Sequence, residues 1–558
     1  MGGHDELSRL AQQYWDSALE AAPTEATLLG DRRFDDQVED YSVDAEQRRL
    51  STWRGLLARV EAIDPAGIDG ADRVTHSLLR TELSGAITQL EWRPVEMASD
   101  QMDGVHAAAL TSAPQLDAPL PENARALLER FGRFDQPLDQ AADRFRAGMA
   151  AGRAPARITV ERSVNQLDGY LSSELAADPF VTLDGPPNWD GESAWRTELE
   201  RVTREVIRPA FQRYRAVLFD ELLPSARPDD RAGLCWLGAD GADIYQRLLR
   251  RHTTLPDLGA EQIHELGLAQ LAALREEYAT IGARVFGTGD LGTIFARLRE
   301  DPALCYTDGE QIMRDAHAAL RSATARMGEW FATLPRQSCE IQPVPAYLAP
   351  DTTAAYYFSP AGDGSRPGAF FVNLHDPTGR GRYDTAALTF HEAIPGHHLQ
   401  LALANESPWL PKFQRESFAN TAFVEGWALY AERLADEMGL YDDDLARLGM
   451  LAADSLRSCR LVADTGLHAK GWSRQRAIDF MVANTPTGRN EITLEVDRYL
   501  AMPGQAVAYK VGQLEILRLR RAAAERLGSG FDIKAFHETV LGSGTVSLPV
   551  LRELVAAL

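Results

Sequence analysis

The chain has 558 residues, of which 45% are apolar and 25% are charged, and its formal net charge is −23. These proportions are typical of a folded globular protein and exclude a disordered one. Nucleic acids and anionic membranes attract basic surfaces, so the charge argues against both as partners. No run of 18 apolar residues occurs in the sequence, so we expect no membrane-spanning helix.

The cysteines and the first 33 residues indicate where the protein works. The four cysteines are scattered without a C-x-x-C pair, and the N-terminal stretch has no apolar segment typical of a secretory signal. We therefore predict a cytoplasmic protein whose cysteines are reduced. They are Cys235, Cys305, Cys339 and Cys459.

Apolar residues recur at helical spacing along most of the chain. The strongest helical stretches are residues 6–90, 123–152, 158–175, 193–223 and 261–281, separated by proline- and glycine-rich breaks at 113–121 and 179–190. Residues 335–367 are poor in helix formers. Within and just after them, Ala354–Phe358 and Ala369–Asn373 predict two short strands around the glycine turn 361–364. The sequence therefore predicts a mainly α, bundle-like fold with one small sheet, about residues 346–375.

Three of the twelve histidines lie within residues 391–398, and a glutamate follows the first of them directly. This density of ligand and base groups is what a zinc hydrolase needs. In the H-E-x-x-H motif the second histidine lies one helical turn after the first, but here that position is Pro395. On a straight helix His398 would lie about 10 Å further along the axis than His391, and His397 would be rotated by about 120°.

The helix is not expected to stay straight. Pro395 has no N–H for the carbonyl of His391, and Gly396 gives the backbone extra freedom. We predict a kink or bulge at residues 393–397 that brings His397, or alternatively His398, beside His391. The competing interpretation is a group of exposed or core-satisfied histidines. Two other His-Glu pairs, at His264 and His537, have no further histidine nearby, and we interpret both as surface helix residues.

A second acidic segment follows at residues 422–432 and has helical composition. Zinc hydrolases of the gluzincin type take a third ligand, a glutamate, from a helix after the histidine pair, and Glu425 is suitably placed. Glu432 lies two turns further on the same face and could orient a ligand histidine.

Several segments together resemble one bacterial family. They are H-E-A-x-P-G-H-H-x-Q at 391–400, V-E-G-W-A-x-Y at 424–430, Asp464-Thr465-Gly466-Leu467-His468 and Pro503-Gly504-Gln505-Ala506. The chain resembles the family catalogued as a domain of unknown function, DUF885, from about Leu29-Gly30-Asp31 to Leu548-Pro549. Glu425-Gly426-Trp427-Ala428 is also similar to the E-G-F-A segment that carries the third zinc ligand in gluzincin aminopeptidases.

The resemblance implies a distant relation to mainly helical zinc peptidases with a deep substrate cleft, the angiotensin-converting-enzyme, oligopeptidase and bacterial carboxypeptidase groups. It implies a bilobal catalytic unit in which residues 1–230 form one side of the cleft. Residues 231–558 would then form the other side, with the small sheet and the zinc site.

In this interpretation one Zn²⁺ per chain is bound by His391, His397 and Glu425. Glu392 is the general base that activates the attacking water and passes its proton to the leaving amine. Tyr509 is the first candidate donor to the developing oxyanion. His468 is the second candidate, with Asp464 fixing its tautomer. Each of these side chains could instead be ordinarily packed.

Substrate contacts are expected at two further places. Arg498 could bind a substrate carboxylate, or it could form a surface ion pair. The strand 369–373, with Phe371 and Asn373, could bind the substrate backbone by strand addition, as an edge strand does in the resembled peptidases, or could be a core strand.

The leading hypothesis is therefore zinc-dependent hydrolysis of peptide bonds in short peptides. Two alternatives stay open. One is a non-catalytic protein that binds peptides or small molecules in a peptidase-like cleft. The other is a zinc hydrolase of a non-peptide amide.

Overall fold

The structure, a computed structural model, describes residues 3–345, 349, 353–360, 366–416 and 420–558. The predicted mainly α fold is confirmed, because helices account for most of the described residues. The glycine turn predicted at 361–364 lies outside the described part of the chain.

The helices of the first 230 residues follow the predicted stretches and breaks. They are α1 (Gly3–Ala21), α2 (Pro23–Leu28), α3 (Val43–Glu61), α4 (Gly70–Glu91), α5 (Val105–Ser112), α6 (Pro121–Phe131), α7 (Asp135–Ala150), α8 (Arg157–Ser172), α9 (Glu192–Val202) and α10 (Arg208–Ala216). The two stretches Thr203–Ile207 and Val217–Leu222, on either side of α10, are π-helical.

The remainder of the chain is helical on both sides of a short β region. Its helices are α11 (Ala239–Thr253), α12 (Ala260–Phe286), α13 (Leu291–Glu300), α14 (Gly309–Trp330), α15 (Thr385–Glu392), α16 (His397–Asn405), α17 (Lys412–Glu416), α18 (Thr421–Glu437), α19 (Asp444–His468), α20 (Arg474–Asn484), α21 (Arg489–Ala501), α22 (Gln505–Leu527), α23 (Ile533–Leu541) and α24 (Leu548–Ala557).

The sheet has three strands, β1 (Cys339–Pro343), β2 (Ala355–Phe358) and β3 (Gly368–Val372). Both predicted strands are present to within a residue, and β1 was not predicted. The strand order is β1-β3-β2, with β1 parallel and β2 antiparallel to β3. Because β3 is central, both of its edges are already hydrogen-bonded. The expectation that strand 369–373 adds a substrate strand is therefore wrong, and the alternative of a core strand is correct.

Two large hydrophobic cores stabilise the helices. The first joins apolar residues of α1, α3 and α4 to those of residues 234–555, and the second is formed by residues 105–226. The proposed division at residue 230 stays a prediction. Within the first core, α18 packs along α22 and α12 packs along α19. None of the described helices combines the length and apolar content that crossing a membrane requires.

Candidate metal centre

Three potential metal ligands from three helices converge at one point. His391 is the penultimate residue of α15, His397 begins α16 and Glu425 lies in the second turn of α18. One ligand atom from each lies within 4.8 Å of the others. A Glu425 carboxylate oxygen, Oε2, is 3.7 Å from Nε2 of His391 and 3.5 Å from Nε2 of His397. The two imidazole rings are nearly perpendicular, with centroids 4.9 Å apart.

The predicted interruption of the helix brings the histidines together. α15 ends at Glu392 and α16 begins at His397, so residues 393–396 form a complete break and the Ile394–Pro395 bond is cis. Gly396 is required at this break, because a Cβ there would collide with the carbonyl oxygens of Phe390 and His391. The expected kink or bulge at 393–397 is therefore confirmed.

Helix α18 carries Glu425, the third candidate ligand, and also contacts the break between α15 and α16. Trp427 lies two residues after Glu425 in α18. Its indole N–H donates a 2.9 Å hydrogen bond to the carbonyl of Pro395. Next to Glu425, Gly426 meets Gly512 of α22 so closely that a Cβ on either would clash with the opposite backbone. Trp427 and the two glycines therefore fix the position of Glu425 relative to the histidines.

Glu432 contacts His391, the histidine that it is predicted to orient. Its Oε1 lies 2.8 Å from Nδ1 of His391, and both side chains are almost fully buried. When Nδ1 carries the proton for this bond, Nε2 is left with a lone pair facing Glu425. Glu432 contacts the Nδ1 side of His391. Within the described part of the chain, it is not one of the three residues whose ligand atoms converge.

The acids and histidines shift one another's pKa values in opposite directions. Burial favours the neutral ring of His391, but its hydrogen bonds with Glu425 and Glu432 outweigh burial and raise its pKa to about 9. Burial also favours the neutral acid at Glu425, yet the two histidines hold the pKa of that carboxyl well below its usual range. The carboxylates and the imidazoles therefore stabilise one another's charges inside the fold, where an unpaired buried charge would be costly.

Glu392 differs from the other acids of the site. It ends α15 directly after His391 and is half-buried. Within the described part of the chain its carboxylate makes no hydrogen bond or ion pair. Its negative charge contributes to raising the pKa of His391, so the carboxylate lies close to the centre. A free carboxylate beside a metal site is what a general base needs.

Tyr509, the first candidate oxyanion donor, lies in α22. Burial, followed by the charge of Glu425, raises the pKa of its hydroxyl, so it stays protonated and can donate a hydrogen bond. The guanidinium carbon of Arg460 lies 4.5 Å from the centre of the Tyr509 ring. Because the charge of Glu425 affects its pKa, Tyr509 lies within electrostatic range of that carboxylate.

His398, the alternative ligand, turns toward the sheet. Its Nδ1 is 2.8 Å from the hydroxyl of Tyr357 in β2, and its Nε2 is 3.1 Å from the carbonyl of Gln337. Both ring nitrogens are therefore engaged away from Glu425. Of the two neighbouring histidines, the geometry selects His397.

His468, the second oxyanion candidate, does not have the environment that we expected. It is fully buried, with Nδ1 accepting from the backbone N–H of Leu234 at 3.1 Å and Nε2 lying 3.0 Å from the carbonyl of Tyr499. Asp464 does not pair with it, and instead accepts from the hydroxyl of Tyr245 and the N–H of Gly504. Since neither ring nitrogen is left for a substrate, the role given to His468 and Asp464 is corrected to a structural one.

The substrate contacts expected from β3 are also reassigned. Phe371 stacks on Tyr356 of β2, with ring centroids 5.0 Å apart. Asn373 is buried, and its side chain bonds the carbonyls of Ala349 and Thr353 and the N–H of His375. Asn373 therefore shapes the turn after β3.

The histidines at 264 and 537 were wrongly interpreted as surface residues. Both are buried. His264 Nδ1 lies 2.8 Å from the Thr465 hydroxyl, and the His537 ring stacks on Phe331 while contacting the Tyr430 hydroxyl. Their helices are amphipathic, and the sequence pattern did not reveal that these positions face inward.

Some residues that shape the site had no assigned role before the structure. Trp427 lies inside the quoted E-G-W-A segment, and Gly512 is a glycine inside a strongly helical run, which is a signal for close packing. Arg460 and Glu495 carry no local signal, since arginine and glutamate are ordinary residues of exposed helix faces.

Comparison with solved structures shows the same fold elsewhere. A protein from Colwellia psychrerythraea, described as a "putative lipoprotein", is similar with a TM-score of 0.92 and 28% identity, over 100% of this chain and 99% of that one. A second protein, a "putative lipoprotein of unknown function" from Shewanella oneidensis, has a TM-score of 0.77 and 19% identity, over 99% of both chains. The second likeness shows the fold alone.

No curated protein matches the sequence. Residues 23–555 match the family described as "Bacterial protein of unknown function (DUF885)", and the chain belongs to that family.

Proposed function

We propose that this DUF885 protein is a zinc-dependent peptidase that hydrolyses short peptides. The observation that carries the proposal is the convergence of His391, His397 and Glu425 from three helices, with ligand atoms within 4.8 Å of one another. Two imidazole nitrogens and one carboxylate oxygen are donors that zinc prefers, and catalytic zinc sites commonly have three protein ligands and one open position.

The residues fit the ion in a further respect. The bond between Glu432 and Nδ1 of His391 leaves Nε2 as the free lone pair, in the arrangement that orients ligand histidines in zinc proteins. A zinc ion held there would act as a Lewis acid that lowers the pKa of a water molecule and polarises a carbonyl group.

Glu392 then performs the proton transfers. Its unpaired carboxylate accepts a proton from the attacking water and donates it to the leaving amine as the C–N bond breaks. In this proposal the protonated hydroxyl of Tyr509 donates a hydrogen bond to the oxygen of the carbonyl under attack. These two residues account for the base and the oxyanion donor without His468.

The proposal is tested by metal content and turnover together. Protein stripped by a chelator and titrated with Zn²⁺ is expected to take up one ion per chain and to regain hydrolysis of a peptide library. Glu392→Gln is expected to keep its zinc and to lose about 10²- to 10⁴-fold in kcat. Glu553→Gln, an exposed substitution in α24, serves as the control and should behave as wild type.

Failure to bind stoichiometric zinc, or unchanged hydrolysis in Glu392→Gln, would overturn the proposal. Peptides retained without turnover would favour the non-catalytic alternative. Hydrolysis of N-acyl amides in preference to peptides would favour the non-peptide amidase.

We also propose a cytoplasmic location, supported by four cysteines that form no disulfide. The description of the two similar structures as lipoproteins supports a cell-envelope location instead. Fractionation of cells that produce the native protein decides between them.

A further inference from the structure

A pair of arginines lies beside Tyr509, on the side of the metal centre formed by α19 and α21. Arg460 of α19 packs against the Tyr509 ring. Arg498 of α21 interacts electrostatically with the same tyrosine, which also senses the charge of Glu425. Arg460 therefore contacts the residue that we propose as the oxyanion donor, and Arg498 lies within electrostatic range of that residue.

The two arginines share a single carboxylate. Oε2 of Glu495 accepts from Nε of Arg460 at 2.9 Å and from Nη2 of Arg498 at 3.3 Å. The hydroxyl of Tyr499 donates to the same oxygen at 2.7 Å. Within this hydrogen-bonded cluster, one carboxylate therefore faces two guanidinium groups.

The pair also has more donors than acceptors. Arg460 is only 6% exposed, yet its Nη1 is buried with no acceptor within the described part of the chain. Arg498 donates from Nη1 to Gln505 at 2.7 Å, and 16% of its side chain remains accessible to solvent. A guanidinium that is deep in the fold but still accessible can bind an incoming carboxylate.

Other acids act on the pair at longer range. Asp464 accepts from the Tyr245 hydroxyl and the Gly504 N–H, and both Asp464 and Asp103 attract Arg498 electrostatically without an ion pair among the described contacts. Glu491 attracts Arg460 in the same way, and it also lies near Arg380 and Arg457. In the described part of the chain, Glu495 is therefore the acid that pairs directly with the two arginines.

We propose that Arg498, supported by Arg460, binds a carboxylate of the substrate, foremost the free C-terminal carboxylate of a peptide. The proposal rests on the proposed peptidase function and narrows its substrate class to peptides with a carboxylate close to the scissile bond. An Asp or Glu side chain of the substrate offers the same chemistry, and the experiment separates the two sources.

The test measures binding without turnover. Zinc-loaded Glu392→Gln protein is titrated calorimetrically with acetyl-Ala-Ala-Phe as the free acid, with its C-terminal amide, and with the amide of acetyl-Ala-Glu-Phe. The free acid is expected to bind about 10- to 100-fold more tightly than its amide, because a charge-assisted hydrogen-bonded pair is lost in the amide. Adding Arg498→Gln should abolish that difference and leave zinc content unchanged.

Two further variants show whether the effect is specific. Arg498→Lys keeps the charge but loses the planar guanidinium, so it should retain only part of the preference. Arg489→Gln removes an arginine of the same helix that is 55% exposed and paired with Asp479, and it should retain the full preference.

Equal binding of acid and amide overturns the carboxylate subsite, even when the wild-type protein hydrolyses peptides. Tight binding of only the glutamate-containing amide assigns the subsite to a side chain and overturns the C-terminal assignment. Acid-selective binding that depends on Arg498 upholds the subsite, even when no peptide is hydrolysed and the proposed function itself fails.

Discussion

His391 and His468 are both buried at the C-terminal ends of helices and each has an acid nearby in the sequence, but their imidazoles do different things. His391 has a carboxylate on each side, Glu432 at Nδ1 and Glu425 facing Nε2. Both nitrogens of His468 instead contact backbone groups. Burial therefore does not identify a ligand histidine. The distinguishing feature is a free ring nitrogen that converges with other donors.

The electrostatics of the two rings follow from their partners. Burial lowers the pKa of His468 to about 3, since no carboxylate compensates its charge. Burial acts on His391 in the same direction, but hydrogen bonds with Glu425 and Glu432 raise the pKa of its ring to about 9. Substitutions at or around His391 and His468 test this comparison.

The largest effect is expected from removing a ligand. His397→Gln should abolish stoichiometric zinc binding, because two donors cannot retain the ion against a chelator. His398→Gln, one residue later, should keep zinc and lose only the contacts with Tyr357 and Gln337. Metal analysis by mass spectrometry after dialysis measures both. Zinc lost from His398→Gln and kept in His397→Gln would reverse the assignment.

The next largest effect is expected at the helix break. Gly396→Ala places a Cβ against the carbonyl oxygens of Phe390 and His391, and should lower the free energy of unfolding by about 2 kcal/mol or more. Gly488→Ala introduces a methyl group with no atom within 4 Å and should change it by less than about 0.5 kcal/mol. Chemical denaturation of the zinc-free proteins measures both changes. Equal stability of the two variants would show that the break tolerates a side chain.

A smaller effect is expected from changing Glu432, which contacts Nδ1 of His391. Glu432→Gln keeps a hydrogen-bond acceptor for His391 but removes the charge, so zinc affinity should fall by about 10-fold, and by about 100-fold in Glu432→Ala. Competition with a fluorescent chelator measures the affinity. The matched control is Glu437→Gln, which changes an acid of the same helix that pairs with Arg520 at the surface. An unchanged affinity in both Glu432 variants would remove Glu432 from the site.

A further effect concerns the pH dependence contributed by His468. Its pKa is about 3 in the folded protein and about 6.5 when unfolded, so only the unfolded state binds the proton between these values. Stability should therefore fall as pH falls below about 6.5, by at most about 1.4 kcal/mol per pH unit for this residue. Urea midpoints of wild type and His468→Gln between pH 7 and 5 isolate this contribution. Parallel pH profiles would show that His468 is not held neutral.

Much of the fold could be predicted because helical periodicity and proline breaks are local properties. The helices before residue 230 and the two strands around 354–373 were expected close to where they lie. β1 was missed because Cys339–Pro343 contains a proline and only five residues, and its pairing with β3 is a contact between distant segments. The central position of β3 was missed for the same reason, because it also depends on the pairing of β3 with the distant strand β1.

The candidate ligand residues could also be named in advance, because histidine, glutamate, proline and glycine each have a chemistry that depends little on context. The sequence by itself indicated the candidate ligands His391, Glu425 and either His397 or His398, the candidate base Glu392 and the need for a break at Pro395-Gly396. Only the tertiary structure decided between His397 and His398. It also excluded His468 and revealed the arginines around Glu495. These outcomes depend on which backbone groups and charges meet a side chain across helices, and that is set by packing between α15, α16, α18, α19, α21 and α22.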